Sequence, residues 1–515
     1  MRLILTALAL GLTSGFSSYE RKEGCPELYS RGVLELEFNP AFLHVDEYAD
    51  GQALTITSFF NLQEVVFTPP PPFPPPPPTF DFFSPDLVAR AMLDADASFP
   101  YTVDPVPVEV LTEPTGPTVP KWPNEAELAP AGVFPFEALV VCQGFLNPGA
   151  RPGRISVINM ATHEEQNISG GGDWFYHRVV YLDMDGDGDD DVVTVRSNWP
   201  AGPPDANTRG ELVWFRNPGT DAFPWEETVL VSAPAIGPWP AAPDIFLQAA
   251  DLNGDGTEEI VATSFFGSEI TLYGAAGGGW AATDAHNIRS ATISDGRGRP
   301  FGIEIVDLDL DGKLDVLATN HQQDNCPAFP ESIAGAVYAI AQPAGDLFAD
   351  AWTTTILFDG IFPQPSVAGA RSSRLAPGKA KAFYPSRAQE ADPSTRPCIV
   401  VGGDEAGKVW ILTPVEGPVT GDLEYEDHVI FDINVKFGDT CKTQTDVRPG
   451  VTISTLGAVE TRYDRTGADG VTEIFIPVFE GKAIYVYSFR AEGEPVECLP
   501  DETLGCTECG SPGPP

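Results

Sequence analysis

Residues Tyr181 to Arg196 read YLDMDGDGDDDVVTVR, and this stretch decides the fold. Asp183, Asp185, Asp187, Asp189 and Asp191 stand at alternate positions with Gly188 among them, so like charges are forced into one tight loop. A hard divalent ion such as Ca2+ takes about six to eight oxygen ligands, and this spacing turns several carboxylates toward one centre while Gly188 permits the sharp turn. The D-x-D-x-D-G half of the loop also opens an EF-hand, which needs a bidentate Glu at its twelfth position and helices on both sides. The twelfth position here is Thr194, and the chain leaves the loop as the β-branched run Val192-Val193-Thr194-Val195. The EF-hand reading fails. Asp191, the ninth residue, closes the loop, which therefore joins two strands.

The unit recurs. FLQAADLNGDGTEEIVAT (Phe246 to Thr263) places Asp251, Asn253, Asp255, Thr257 and Glu259 at the same offsets, and IEIVDLDLDGKLDVLAT (Ile303 to Thr319) places Asp307, Asp309, Asp311, Lys313 and Asp315 there. Three copies in register speak against a solvated acidic turn repeated by chance. Their starts are 68 and 56 residues apart (251 − 183 and 307 − 251). With about four short strands per unit, such a period is that of a β-propeller blade. Units near 40–100, 118–175, 176–243, 244–297, 298–368, 369–440 and 450–490 predict an all-β, seven-bladed propeller with its acidic loops between the first two strands of several blades; six or eight blades are the alternatives. GVLELEF (Gly32 to Phe38) is left over to close the ring against the last blade, removing an exposed edge. HVDEYADGQALTITSFF and the stretch from Asp464 through Thr466, Asp469, Gly470 and Glu473 read as decayed copies without a metal site.

These D-x-D/N-x-D-G-x-x-D/E loops followed by apolar strands resemble FG-GAP or VCBS repeats, the calcium-binding propeller repeats also found in the integrin α-subunit head. The resemblance covers Val179 to Phe489 best. It implies about three structural Ca2+ ions on one rim, one each at Asp183, Asp185, Asp187 and Asp191; at Asp251, Asn253, Asp255 and Glu259; and at Asp307, Asp309, Asp311 and Asp315. It further implies that the seventh positions, Asp189, Thr257 and Lys313, contribute backbone carbonyls. The sequence predicts no transmembrane helix or cytoplasmic tail, which sets it apart from an integrin subunit.

The flanks predict export. Residues 1–18 carry Arg2, an apolar run from Leu3 to Leu12 and small residues at Thr13 and Gly15, the pattern of a secretory signal and too short to span a bilayer. A short segment 19–31 precedes the propeller at 32–490, and a cysteine-containing tail, 491–515, follows it. Residues 68–79, TPPPPFPPPPPT, have the composition of a polyproline II spacer. Eight cysteines in an exported chain predict disulfides, with the C-x-x-C of Cys506 and Cys509 read as disulfide rather than zinc. Asn167-Ile168-Ser169 is an N-glycosylation sequon. The formal charge of −44, or −38 with three Ca2+, repels nucleic acid and anionic membrane.

If calcium is structural, function belongs on the opposite face, where second strands end and blades connect. Trp174, His177, Trp199, Trp239, Arg299, Phe301, Asn320, His321, Arg374, Asp404, Asp446 and Arg448 fall in those stretches and are the candidate ligand residues. Aromatic, His and Arg side chains at a propeller mouth can stack on a sugar and hydrogen-bond its hydroxyls; packing between blades is the competing role for each aromatic. Two functions follow: an extracellular binding or adhesion module for a glycan or protein, and a secreted carbohydrate-active enzyme with His177 or His321 as base and Arg299 or Arg374 stabilising the developing anion. No G-x-S-x-G, H-E-x-x-H or paired-carboxylate motif accompanies them, so binding is the leading expectation. The oligomeric state is not legible.

Overall fold

A computed structural model describes residues 28–49, 51–58, 86–93, 108–112, 122–145, 152–198, 207–235, 243–277, 279–323, 334–363, 375–415, 423–432, 457–463, 470–479 and 482–489. The signal-like segment, the proline-rich run and the C-terminal tail lie outside these residues, as do Asp464, Thr466 and Asp469 of the last decayed copy.

Seven four-stranded antiparallel sheets form among the described residues. Blades 1 to 6 begin at Leu43, Pro123, Trp174, Leu247, Pro300 and Ala380, each running strand by strand outward from the centre. Blade 7 takes its inner three strands from Glu460–Tyr463, Thr472–Val478 and Ala483–Phe489, and its outermost from Leu28–Glu35 at the other end of the chain. Val33 pairs with Tyr485 and Glu35 with Ala483, so the GVLELEF segment closes the ring. That pairing satisfies the edge that the last blade would otherwise expose.

The strand chemistry follows from position in the blade. Second strands are buried on both faces between neighbouring blades, and so they read as continuous apolar runs rather than alternating ones: Ala138–Gln143, Glu259–Ser264, Asp315–Asn320 and Thr472–Val478 are buried throughout. Outer strands such as Glu226–Pro234 and Thr353–Ile361 are largely solvated. Seven apolar clusters form, each between two adjacent blades. One joins Leu54 and Ile56 of blade 1 to Phe475 and Val486 of blade 7, completing the circle.

The expected disulfides are not met at Cys142. Its thiol is free and buried among Val140, Ile155 and Val157 of blade 2, where it acts as a small apolar side chain. Burial pushes its pKa up. Cys398 is likewise buried, in a second strand, and the other six cysteines lie outside the described residues.

Candidate functional site

The three acidic loops connect first to second strands in blades 3, 4 and 5 and therefore share one rim. Their backbones are built alike. Asp183 accepts from the N–H groups of Gly186 (2.8 Å), Asp187 (3.1 Å) and Gly188 (3.0 Å); Asp251 does the same for Gly254 (2.8 Å), Asp255 (3.1 Å) and Gly256 (2.8 Å). Asp307 accepts from Gly312 at 3.0 Å. Gly188, Gly256 and Gly312 have φ of 94°, 87° and 84°, the left-handed region in which a side chain is strained. The buried ninth residues tie each loop shut, Asp191 accepting from Met184 N–H, Glu259 from Leu252 and Asp315 from Leu308 at 3.0, 3.0 and 3.2 Å.

This geometry concentrates negative charge. Carboxylate oxygens of Asp183, Asp185 and Asp187 lie within 4.8 Å of one another, as do those of Asp307, Asp309 and Asp315. Burial raises the Asp191 carboxyl to about 6 and those of Glu259 and Asp315 to about 7, and neighbouring loop carboxylates add to each rise. Asp307 Oδ1 is shut off from water and accepts no hydrogen bond, while Asp185 Oδ2, equally shut off, meets the Arg216 guanidinium at 2.5 Å. A buried carboxylate oxygen left as at Asp307 is costly. The donor set, oxygen-only and anionic, fits a hard divalent cation.

On the opposite face the structure brings His177, Arg299, Phe301, His321 and Asp404 into one neighbourhood. Phe301 stacks on His321 at 4.4 Å and meets Phe246 edge-on at 5.1 Å, while the His177 ring lies 4.4 Å from Phe246 and 5.1 Å from Phe42. The Arg299 guanidinium sits over Phe265 and the Lys379 ammonium over Phe246. Phe42 and Phe301 remain partly exposed, whereas His177, His321 and Arg299 are only 3, 5 and 7 % exposed. His321 Nδ1 is 2.6 Å from the Pro377 carbonyl, which can only accept, so this nitrogen carries the proton and Nε2 faces Asp404 at 3.5 Å as a lone pair. Burial holds both imidazoles down to about 4, helped at His177 by Lys379 and Arg178 against Glu125, and at His321 by Arg299. Both are neutral near pH 7.

Other candidates have local duties. Trp174 stacks on the Arg196 guanidinium at 4.0 Å, and Arg196 in turn pairs with Glu211 and Glu227. Asn320 donates to the carbonyls of Arg297 and Ala334 and accepts from Ala336 N–H, stapling the end of its strand. Asn167 of the sequon lies half-buried in an outer strand and accepts from the Ser156 hydroxyl at 3.1 Å. Trp199, Trp239, Arg374, Asp446 and Arg448 lie outside the described residues.

Sequence reasoning missed the belt of charge on the innermost strands. Lys379 of blade 6 donates to Glu125 of blade 2 at 2.5 Å, linking two blades that are not neighbours in the ring. Arg178 of blade 3 sits 3.5 Å from Glu125 and 3.7 Å from Glu127. His44 of blade 1 reaches Asp46 at 3.1 Å and Glu127 at 3.6 Å, and Lys381 pairs with Glu460 between blades 6 and 7. Burial works against the ionised Glu125, but Lys379, Arg178 and His177 outweigh it and lower its pKa to about 2. The signal was available: period-two polar pairs such as His44/Asp46, Glu125/Glu127, Lys379/Lys381 and Glu460/Arg462 open successive first strands.

The FG-GAP-like repeat family matches residues 183–262 and 251–318, spans that contain all three acidic loops. No curated protein matches the sequence. Among solved structures, the Dos1 propeller is 10% identical over 90% of this chain and 95% of its own, with a TM-score of 0.40. An auxiliary nutrient binding protein from Bacteroides ovatus is 10% identical over 88% of this chain and 100% of its own, with a TM-score of 0.35. The matched FG-GAP-like repeats are thus seated in consecutive blades of a seven-bladed β-propeller.

Proposed function

We propose that this chain is an exported, calcium-stabilised propeller that presents the face opposite its acidic loops to a glycan or protein. The observation that carries the calcium reading is the stranded oxygen Asp307 Oδ1, inside one of three loops built to one plan. Side chains of Asp183, Asp185, Asp187 and Asp191, of Asp251, Asn253, Asp255 and Glu259, and of Asp307, Asp309, Asp311 and Asp315 would hold the ions, with the carbonyls of Asp189, Thr257 and Lys313. Bound there, a cation neutralises clustered carboxylates and ties the first two strands of each blade together; the role is structural. Export rests on the residues of 1–18 alone.

The part-exposed rings of Phe42 and Phe301 supply a stacking surface at the mouth. Binding is favoured over catalysis because His177 and His321 are encased among phenylalanines and neutral, their nitrogens not presented to solvent. The test is incubation of calcium-loaded protein with a panel of polysaccharides, following retained protein and released reducing ends or unsaturated sugars. Retention without products, weakened in Phe301→Ala, is the expected result. Products that disappear in His321→Ala or Arg299→Ala would make the protein an enzyme instead.

A further inference from the structure

The three loops are not equivalent: the third contains Lys313, but among the described residues only the first is ion-paired to a basic side chain. Asp191, Glu259 and Asp315 close the loops, and the residues after them, Val192, Ile260 and Val316, pair with Phe215, Tyr273 and Ile340 of the third strands. The next residue on each third strand is therefore equivalent: Arg216, Gly274 and Ala341. Arg216 Nη2 lies 2.5 Å from Asp185 Oδ2 and 3.9 Å from Asp187 Oδ2. The nearer oxygen is the one shut off from water. Among the described residues, no ion pair joins a basic side chain to the carboxylates of the second or third loop. Arg289, which faces that rim from blade 4, is engaged by Asp346 at 3.1 Å and by the Phe348 ring.

We propose that Arg216 is a tethered counter-ion of the first loop, which occupies the cation's place in calcium-free protein and must swing away before Ca2+ binds. This rests on the calcium reading above. The guanidinium side chain is 48% exposed at the end of its strand, so it can leave for solvent without disturbing the core. A monovalent cation on a flexible stem satisfies two carboxylates but not a whole acidic loop, so a divalent ion displaces it at a cost in affinity. The first loop is then the site that fills last as calcium rises, while the second and third are filled throughout, and the propeller responds to calcium through one blade.

Calorimetric Ca2+ titration of the full chain, with melts in EGTA and in calcium, tests this on the wild type, Arg216→Gln and Arg216→Lys. The wild type should show two tighter sites and one weaker. Arg216→Gln should tighten the weak site about tenfold, by removing a like charge next to the ion, and Arg216→Lys should leave it weak. The melts should change sign: Arg216→Gln lowers the melting temperature in EGTA, where the carboxylates lose their counter-ion, and does not lower it in calcium. Three bound ions with affinities and melts unmoved by Arg216→Gln would overturn the role of Arg216 while leaving the calcium reading intact. Wild-type protein that binds no Ca2+ would overturn both.

Discussion

Replacing Lys379 by Met removes the cation that bridges blades 2 and 6 and leaves Glu125 with Arg178 at 3.5 Å as its nearest remaining cation. The magnitude follows from the Glu125 carboxyl. Its pKa falls from 4.5 to about 2 on folding, and about 2.5 units at 1.36 kcal/mol each amounts to roughly 3 kcal/mol of stability at neutral pH. Lys379 is the largest favourable contributor, ahead of Arg178, so its removal should cost about 2 kcal/mol. A folded span of this length carries an unfolding entropy of about 1 kcal/mol/K, which sets the expected drop in melting temperature at about 2 °C. Calorimetry with a double-mutant cycle through Glu125→Gln is the assay, since Glu125→Gln/Lys379→Met should lose less than the sum of the singles by 1 kcal/mol or more, as neither partner is left buried and charged alone. A depressed carboxylate stabilises above its unfolded pKa, so the Lys379 effect should be full above about pH 4.5 and fade as pH falls toward 2. Strict additivity, or a Lys379→Met protein as stable as wild type at pH 7, would refute the belt as an energetic link across the ring.

Titration of the buried histidines supplies further tests. His177 and His321 fall from 6.5 to about 4 on folding, so their unfolded forms bind protons first and stability drops as pH falls from 6.5 to 4, by roughly 3 kcal/mol for each; His177→Leu should flatten that limb of the melting profile relative to wild type. His44 behaves oppositely. Burial disfavours its charge, yet Asp46, Glu127 and Glu460 raise it to about 9, so its contribution is full below 6.5 and lost as pH rises through 9; His44→Gln should lose a decline in melting temperature that wild type shows between pH 6.5 and 9. Phe301→Ala should reduce retention on whatever polymer the protein binds while leaving the number of bound Ca2+ ions unchanged, because the ring lies on the rim away from the loops.

What was legible in the sequence was whatever repeats locally. The acidic loops declare themselves because Asp183, Asp251 and Asp307 each start the same spaced pattern, and a blade is a local unit whose second strand must be apolar on both faces. GVLELEF was readable as the closing strand because an alternating segment without a unit of its own has one place to go. The belt of charge on the innermost strands was not read, because Glu125 and Lys379 are brought together only when the ring closes. Arg216 was invisible for a related reason, since strand register, not sequence spacing, sets it against Asp185. At the mouth, Phe301 and His321 were named but Phe42, Phe246 and Phe265 were not, because nothing in their local spacing sets them apart from other apolar residues. Trp174 shows the opposite error: its position suggested the mouth, and its ring covers Arg196. Cys142 was counted toward disulfides because composition alone cannot tell a core thiol from a paired one.

The measurement that bears most directly on the account is the melting temperature in about 5 mM CaCl2 against excess EGTA. With three extracellular-type sites of about 0.1–1 mM affinity, each contributes about 1.1–2.3 kcal/mol by mass action, roughly 3–7 kcal/mol together. The account therefore predicts a melt about 3–7 °C lower in EGTA, with most of the shift abolished by Asp255→Asn combined with Asp311→Asn. Identical melts in the two buffers would contradict it.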